Sequence, residues 1–193
     1  PAPPVSNTTE RRPLMISSDL GRSWQNAGQG LPDDLQASFL VKCGEELLLA
    51  SDNLGLFKST ENRTQWQTIN EGLPHLKINA LYTHKDRIYV GVYRKGIYGR
   101  SKDGESWTNL NADLPDQRVQ CIHQSKNRLF VGTDSGIFFK GMNADSWTAS
   151  TLQAQTLSLY EKDDKLIAGT SLGTALSTDH GQTWEWIRQE GSV

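Results

Sequence analysis

The sequence is poor in cysteine, with two among 193 residues, too few for a disulfide framework. Cys43 and Cys121 also fall at unlike places in the repeat described below, so both are expected as free, partly buried thiols. Charge of either sign is not in excess: 20 basic against 22 acidic side chains leave a net charge of −2. With a pI of about 6.1 there is no basic surplus to neutralise phosphates, which argues against a nucleic-acid or membrane-surface role. Long apolar runs are missing, and none approaches the roughly 18 residues of a membrane span. No amphipathic stretch of useful helical length occurs. No glycine-rich phosphate loop or zinc signature is present. The four histidines, His75, His84, His123 and His180, sit at unlike repeat positions without metal-ligand spacing, so neither metal nor cofactor is expected.

What is there is turn chemistry. Hydrophobic residues make up 36% and mean hydropathy is −0.56, which fits a soluble chain with half-exposed strands. The length suffices for a sizeable core. The opening Pro-Ala-Pro-Pro lacks a Met. It reads as a processed start followed by an unstructured leader over 1–12, and the protein is expected to be secreted or periplasmic. Asn7-Thr8-Thr9 and Asn62-Arg63-Thr64 match the glycosylation sequon only as short chance patterns.

One turn recurs five times. Ser17-Ser18-Asp19-Leu20-Gly21-Arg22-Ser23-Trp24 returns as Ser177-Thr178-Asp179-His180-Gly181-Gln182-Thr183-Trp184. A shortened copy runs from Ser101 through Asp103 and Gly104 to Trp107, and eroded copies end at Trp66 and Trp147. The Asp carboxylate can accept hydrogen bonds from backbone N–H groups of its own turn. Gly21 and Gly181 supply a backbone conformation that a side chain would hinder. The Trp then opens the next strand and is expected to bury its ring against a neighbouring unit.

The five tryptophans are spaced by 42, 41, 40 and 37 residues. Gly30-Leu31-Pro32, Gly72-Leu73-Pro74 and Asp113-Leu114-Pro115 follow the first three in constant phase. So do the apolar runs Leu47–Ser51, Ile88–Val92, Leu129–Thr133 and Leu166–Thr170, and the G-[IL]-[FY] strands at Gly55, Gly96 and Gly136. Each period thus holds four short strands, and a four-stranded antiparallel unit of about 40 residues is a propeller blade. The predicted fold is all-β: a propeller over 13–193, in repeats of 13–32, 33–74, 75–115, 116–152 and 153–190. The first unit carries only strands three and four. Its uncovered edge invites closure as a small ring, continuation into a larger propeller, or a homo-oligomer through the incomplete blade.

The turn S-x-D-x-G-x-[ST]-W resembles the Asp box, or BNR repeat, of sialidase-like propellers, with Ser17, Asp19, Gly21, Trp24, Ser177, Asp179, Gly181 and Trp184 in full agreement. The repeat context is also similar to photosystem II assembly-factor propellers, xyloglucanase-type hydrolases and sortilin-type receptors. The resemblance implies that the box is structural and lies opposite the binding face. A sialidase site would need three arginines, a Tyr–Glu pair, an Asp and an Arg-Ile-Pro motif. Arg11-Arg12-Pro13 is a poor substitute for the last, and only Arg94 and Arg118 fall on the expected binding face. A xyloglucanase-like reading needs two opposed carboxylates. Asp52 and Asp134 occupy equivalent loops and could converge on one rim, but read first as ordinary turn residues. Cys121 and His123 share one face of a strand, a conceivable thiolate–imidazole pair, yet they read first as packing beside the axis.

Function on such a disc lives in variable loops. The candidates singled out are Asp52, Tyr93, Arg94, Lys95, Arg118 and Asp134. The Tyr93-Arg94-Lys95 loop departs from its counterparts by two basic residues and an aromatic, a pattern that favours an interface or a sugar-stacking contact. The expectation is a non-catalytic exported scaffold binding a protein or a glycan on its loop face. The alternative is a glycoside hydrolase-like enzyme with a site unlike that of the sialidases.

Overall fold

Each apolar run of the repeat is hydrogen-bonded on both sides, and so becomes the second strand of a sheet. The computed structural model describes residues 14–59 and 65–187. The leader over 1–12, Pro13, both sequons and residues 60–64 of the second turn copy lie outside them.

The incomplete first unit pairs β1 (Met15–Ile16) with β2 (Gln25–Asn26). Four antiparallel sheets of four strands follow, each in simple sequential order. Blade 1 is β3 (Ala37–Cys43), β4 (Glu46–Ser51), β5 (Leu56–Ser59) and β6 (Trp66–Thr68). Blade 2 is β7 (Ile78–His84), β8 (Arg87–Val92), β9 (Gly96–Ser101) and β10 (Thr108–Asn109). Blade 3 is β11 (Val119–Ser125), β12 (Arg128–Thr133), β13 (Ile137–Gly141) and β14 (Thr148–Ala149). Blade 4 is β15 (Thr156–Lys162), β16 (Lys165–Thr170), β17 (Gly173–Ser177) and β18 (Glu185–Trp186). No helix occurs among the described residues. The fold is a β-propeller of four full blades and a half.

The first strands adjoin one another in the order β3, β7, β11, β15, so they form the inner wall. Each carries a β-bulge at the same point, before Phe39, Ala80, Cys121 and Ser158. A bulge bends its strand and sharpens its twist, which turns the chain toward the next blade. Small residues sit opposite for lack of room: a Cβ on Gly91 would press on Ala80 and on Val119 of the next blade at 3.0 Å. Both thiols are free, Cys43 buried and Cys121 half-buried.

The core lies between blades rather than within them. Leu48, Ala50 and Leu56 of blade 1 pack on Ile88, Val90 and Trp107 of blade 2. Tyr89 and Ile97 of blade 2 pack on Leu129, Val131 and Trp147 of blade 3. Phe130 and Ile137 pack on Leu166 and Ala168 of blade 4.

The tryptophans close these junctions by two means. Trp66 donates its indole N–H to the Ala27 carbonyl at 2.7 Å, Trp107 to Ile69 at 2.6 Å and Trp147 to Leu110 at 2.8 Å, each reaching the end of the preceding unit's fourth strand. The two complete boxes behave differently. Trp24 and Trp184 donate to the carbonyls of their own Gly21 and Gly181, both at 3.2 Å. Trp107 is 6% exposed, whereas Trp24 is 58% exposed: among the described residues no unit packs against its ring, contrary to the burial expected of every copy.

In the complete boxes the acid holds the turn. Asp19 accepts from the Ser23 backbone N–H and hydroxyl and from the Ser17 hydroxyl, and Asp179 accepts from the same positions, Thr183 and Ser177, and from the Gln182 N–H. In the shortened copy Asp103 takes no such role; it faces Lys102 at 4.0 Å, while Gly104 N–H donates to the Ser101 carbonyl. There Arg100, buried over the Trp107 ring, donates to the Ser101 and Gly104 carbonyls.

Trp107→Ala is expected to cost ~3–5 kcal/mol, as large-to-small aromatic core changes do, and Trp24→Ala less than about 1 kcal/mol, both read from urea unfolding. The bonds from Ser23 and Ser17 hold the Asp19 carboxyl at about 2, below its ordinary 3.8; at Asp179 burial opposes the shift, but the bonds from Thr183, Ser177 and Gln182 outweigh it and again give about 2. A lowered folded-state value stabilises the native chain above the ordinary carboxyl range, and this is lost as pH falls toward 2. The urea midpoint should therefore drop between pH 4 and pH 2 (ordinary value 3.8, folded value about 2), and less so in an Asp19→Asn/Asp179→Asn variant.

Candidate functional site

The turns between second and third strands and the loops entering each first strand share one rim. Backbone bonds sew them together within a blade, Asp52 N–H to Gln36, Tyr93 N–H to Lys77 and Ser171 N–H to Gln155, at 2.9–3.0 Å. Others cross to the next blade, Gly55 N–H to Leu76 at 2.8 Å and Gly96 N–H to Gln117 at 3.0 Å. Asn70 and Asn111 lock the two turns from behind. Each amide oxygen accepts from the strand entry, Leu56 or Ile97, and each amide nitrogen donates to the turn, at Leu54 or Lys95. Gly55 and Gly96, at φ +81° and +77°, leave the space those amides fill. The rim is thus a rigid frame carrying variable side chains.

On blade 2, Tyr93 is surrounded by cations. The Lys77 ammonium lies 5.0 Å from its ring centroid and the Arg94 guanidinium 5.2 Å, with the His75 ring at 6.0 Å. Such cations are attracted by the ring's negative face. Arg94 is held in the left-handed region at φ +52°, and the Lys77 N–H donates to His75 Nδ1 at 2.9 Å. Among the described residues Lys77, Arg94 and Lys95 make no ion pair with an acid.

On blade 3 the rim cation Arg118 is held between two acids. Arg118 grips Asp116 with Nε at 3.0 Å and Nη2 at 3.2 Å, and reaches Asp134 with Nη1 at 3.2 Å. Asp134 also accepts from Gln120 at 2.7 Å and Gln155 at 3.1 Å. Asp116 is only 8% exposed, and accepts the backbone N–H groups of Arg118 and Ser135. Burial would raise its carboxyl, but these bonds outweigh it and hold it below the ordinary range; the same pairing raises Arg118. Asp52, on blade 1, accepts from Ser38 at 2.5 Å.

The predicted residues therefore divide in three. Arg118 and Asp134 meet, Tyr93 and Arg94 meet with Lys95 beside them, and Asp52 stands on its own blade. Asp116, Gln120 and Gln155 were not singled out from sequence. Asp116 follows Leu-Pro two residues before Arg118, a spacing that suits a side chain closing on its own loop. The Cys121–His123 pairing does not form: Cys121 points to the Thr156 carbonyl at 3.8 Å, and burial pushes its thiol up to about 12. His123 instead faces Glu161 at 3.3 Å and lies tilted against the Tyr82 ring, 5.5 Å between centroids. Among the described residues Arg100 lies over Trp107, Arg128 over Phe139 and Arg118 between two acids, while Arg63 and Arg188 lie outside them. A cavity of about 180 Å³ lies by the inner wall, lined by Phe39, Ala80, Cys121 and Leu157 among others. No cluster able to hold a metal ion occurs among the described residues, and no helix is long and apolar enough to cross a membrane.

No family model and no curated protein matches the sequence. Among solved structures, the extracellular domain of a hybrid two-component system from B. thetaiotaomicron superposes with a TM-score of 0.73 at 20% identity, over 95% of this chain and 26% of that one. YCF48 bound to D1 peptide superposes at 0.67 with 15% identity, over 89% of this chain and 59% of that one. An ancestral GH74 enzyme superposes at 0.65 with 18% identity, over 86% and 25%. The chain spans about a quarter of the length of the bacterial extracellular domain and less than two thirds of the other two. Likeness at this identity shows the propeller fold.

Asp116→Ala should cost about 2 kcal/mol in urea unfolding, because it strips a buried charged acceptor from the backbone N–H groups of Arg118 and Ser135 and from the Arg118 guanidinium. Arg118→Ala, whose head is half exposed, should cost less.

Proposed function

We propose that this protein is a non-catalytic, exported β-propeller whose loop rim binds a protein or a glycan. The observation that carries the reading is the Tyr93 loop: an aromatic ring with Lys77, Arg94 and His75 about it, on a frame locked by Asn111. Tyrosine and arginine on a rigid support are the residues that anchor interfaces. The cations over Tyr93 are not matched by acids, so the rim offers positive charge there, against a chain of net −2. Asp52 and Asp134 each serve their own neighbours, Ser38 in one case and Arg118, Gln120 and Gln155 in the other, which favours support over acid–base work. The structural neighbours named as extracellular domains support export, and YCF48 with its bound peptide supports protein binding on such a scaffold. Self-association through the incomplete first unit belongs to the same reading.

The test is binding to a printed array of glycans and of acidic and basic peptides. One class should bind, and Tyr93→Ala/Arg94→Ala should weaken it at least about tenfold, as loss of an interface anchor does. Lys126→Ala, at a hairpin tip on the opposite side, should leave it unchanged. Binding indifferent to the Tyr93 pair, or release of reducing sugar from xyloglucan by the chain, would overturn the proposal.

A further inference from the structure

We infer that the rim over blades 1 and 2 takes a segment of a partner polypeptide in which a block of basic side chains adjoins a block of acidic ones, the acids lying on the Tyr93 loop and the bases on blade 1. The inference rests on the reading of the Tyr93 loop as a binding surface and names the chemistry of what it binds.

Blade 1 carries the opposite charge to blade 2 along the same rim. Asp33 and Asp34 lie in the loop entering β3 and Asp52 in the turn between β4 and β5, and all three are exposed. The Asn53 amide ties the two segments together, donating to the Asp34 carbonyl at 3.1 Å and accepting the Gln36 N–H at 3.2 Å. Asp52 accepts the Ser38 hydroxyl, a neutral donor that leaves its charge standing. Among the described residues no cation pairs with Asp33, Asp34 or Asp52.

The acidic block adjoins the basic one. The Gly55 N–H, at the end of the Asp52 turn, donates to the Leu76 carbonyl at 2.8 Å. Leu76 stands between His75 and Lys77, and its side chain, 40% exposed, puts an apolar group on the seam. Past it Lys77 and Arg94 lie about Tyr93, with Lys95 next in the loop. The basic block ends there: across the following seam, from Gly96 to Gln117, Arg118 is already held by Asp116 and Asp134. Carboxylates, an apolar step and cations thus follow one another on turns that Asn70 and Asn111 fasten from behind.

This order of charges selects among ligands. A pyranose stacks its C–H face on a bare aromatic face, but the Tyr93 ring already has two cations over it, at 5.0 and 5.2 Å. An acidic glycan would satisfy the cations and set its remaining carboxylates against Asp33, Asp34 and Asp52, and like charges brought together across an interface are costly. A polypeptide carries both signs within a short segment, with an apolar side chain between them. Complementary charge blocks also fix which way round such a segment lies.

The test is fluorescence anisotropy with labelled probes on the full chain. A peptide with a lysine block, a leucine-bearing spacer and a glutamate block should bind at least about tenfold tighter than an alternating Lys/Glu peptide of the same composition, an all-glutamate peptide or an oligogalacturonate. Asp33→Lys/Asp34→Lys should reverse that order and favour the all-glutamate peptide, a gain that loss of folding does not mimic. Arg94→Glu/Lys95→Glu should abolish binding of the block peptide with an unchanged unfolding midpoint, both positions being exposed. Equal binding of block and alternating peptides, or an Asp33→Lys/Asp34→Lys chain with unchanged preference, would overturn the inference. So would a doubled mass in solution that Arg94→Glu/Lys95→Glu returns to 21.5 kDa, which would put a second copy on the strip. A glycan released by Tyr93→Ala/Arg94→Ala would overturn it too, while leaving the rim a binding face; no ligand released by that pair would overturn both readings.

Discussion

The structure depends on one recurring bond, the indole N–H of a tryptophan given to a backbone carbonyl on the preceding unit. A blade's fourth strand is two or three residues long and has no further strand beside it. Its end would otherwise carry carbonyls facing apolar surface, and a buried unpaired carbonyl is costly. A tryptophan about 40 residues later supplies both the donor and the ring that covers the site. Because donor and acceptor lie on successive units, the bond sets the blade-to-blade step as well as the local packing.

This division of labour accounts for which turn copies keep the full box. Where the indole reaches back to the previous blade, at Trp107 and Trp147, the turn is braced from outside and its own residues are released. Asp103 then faces only Lys102, and Arg100 has moved over Trp107. Where the indole stays on its own turn, at Trp24 and Trp184, the Asp carboxylate and two hydroxyls hold the loop from within. Loss of the Asp and Gly pattern in the middle copies is thus the consequence of a different anchor.

The rim shows the same economy turned to another use. Asn70 and Asn111 fasten the turns of blades 1 and 2, and on blade 3 the Asp116 carboxylate does this work through Ser135. Arg118 is consumed in that task between Asp116 and Asp134. The Tyr93 loop, fastened from behind by Asn111, keeps its cations unspent. Two neighbouring loops at the same place in the repeat therefore differ in what they have left for a partner.

The blade count, the strand order and the incomplete first unit were legible in the sequence, because period and alternation are local properties of a chain that repeats. The turn role of Asp19 and Asp179 was legible for the same reason: every partner lies within four residues. The candidate site was legible only in part. Tyr93 and Arg94 stood out as departures from the repeat, but the capture of Arg118 by Asp116 and Asp134, and the parting of Cys121 from His123, depend on side chains brought together across loops and blades. Likewise the exposure of Trp24 beside the burial of Trp107, two residues at one repeat position, is decided by whether a unit stands in front of the ring. Local bonding is written residue by residue; which groups are satisfied, neutralised or left open is set by neighbours tens of residues away.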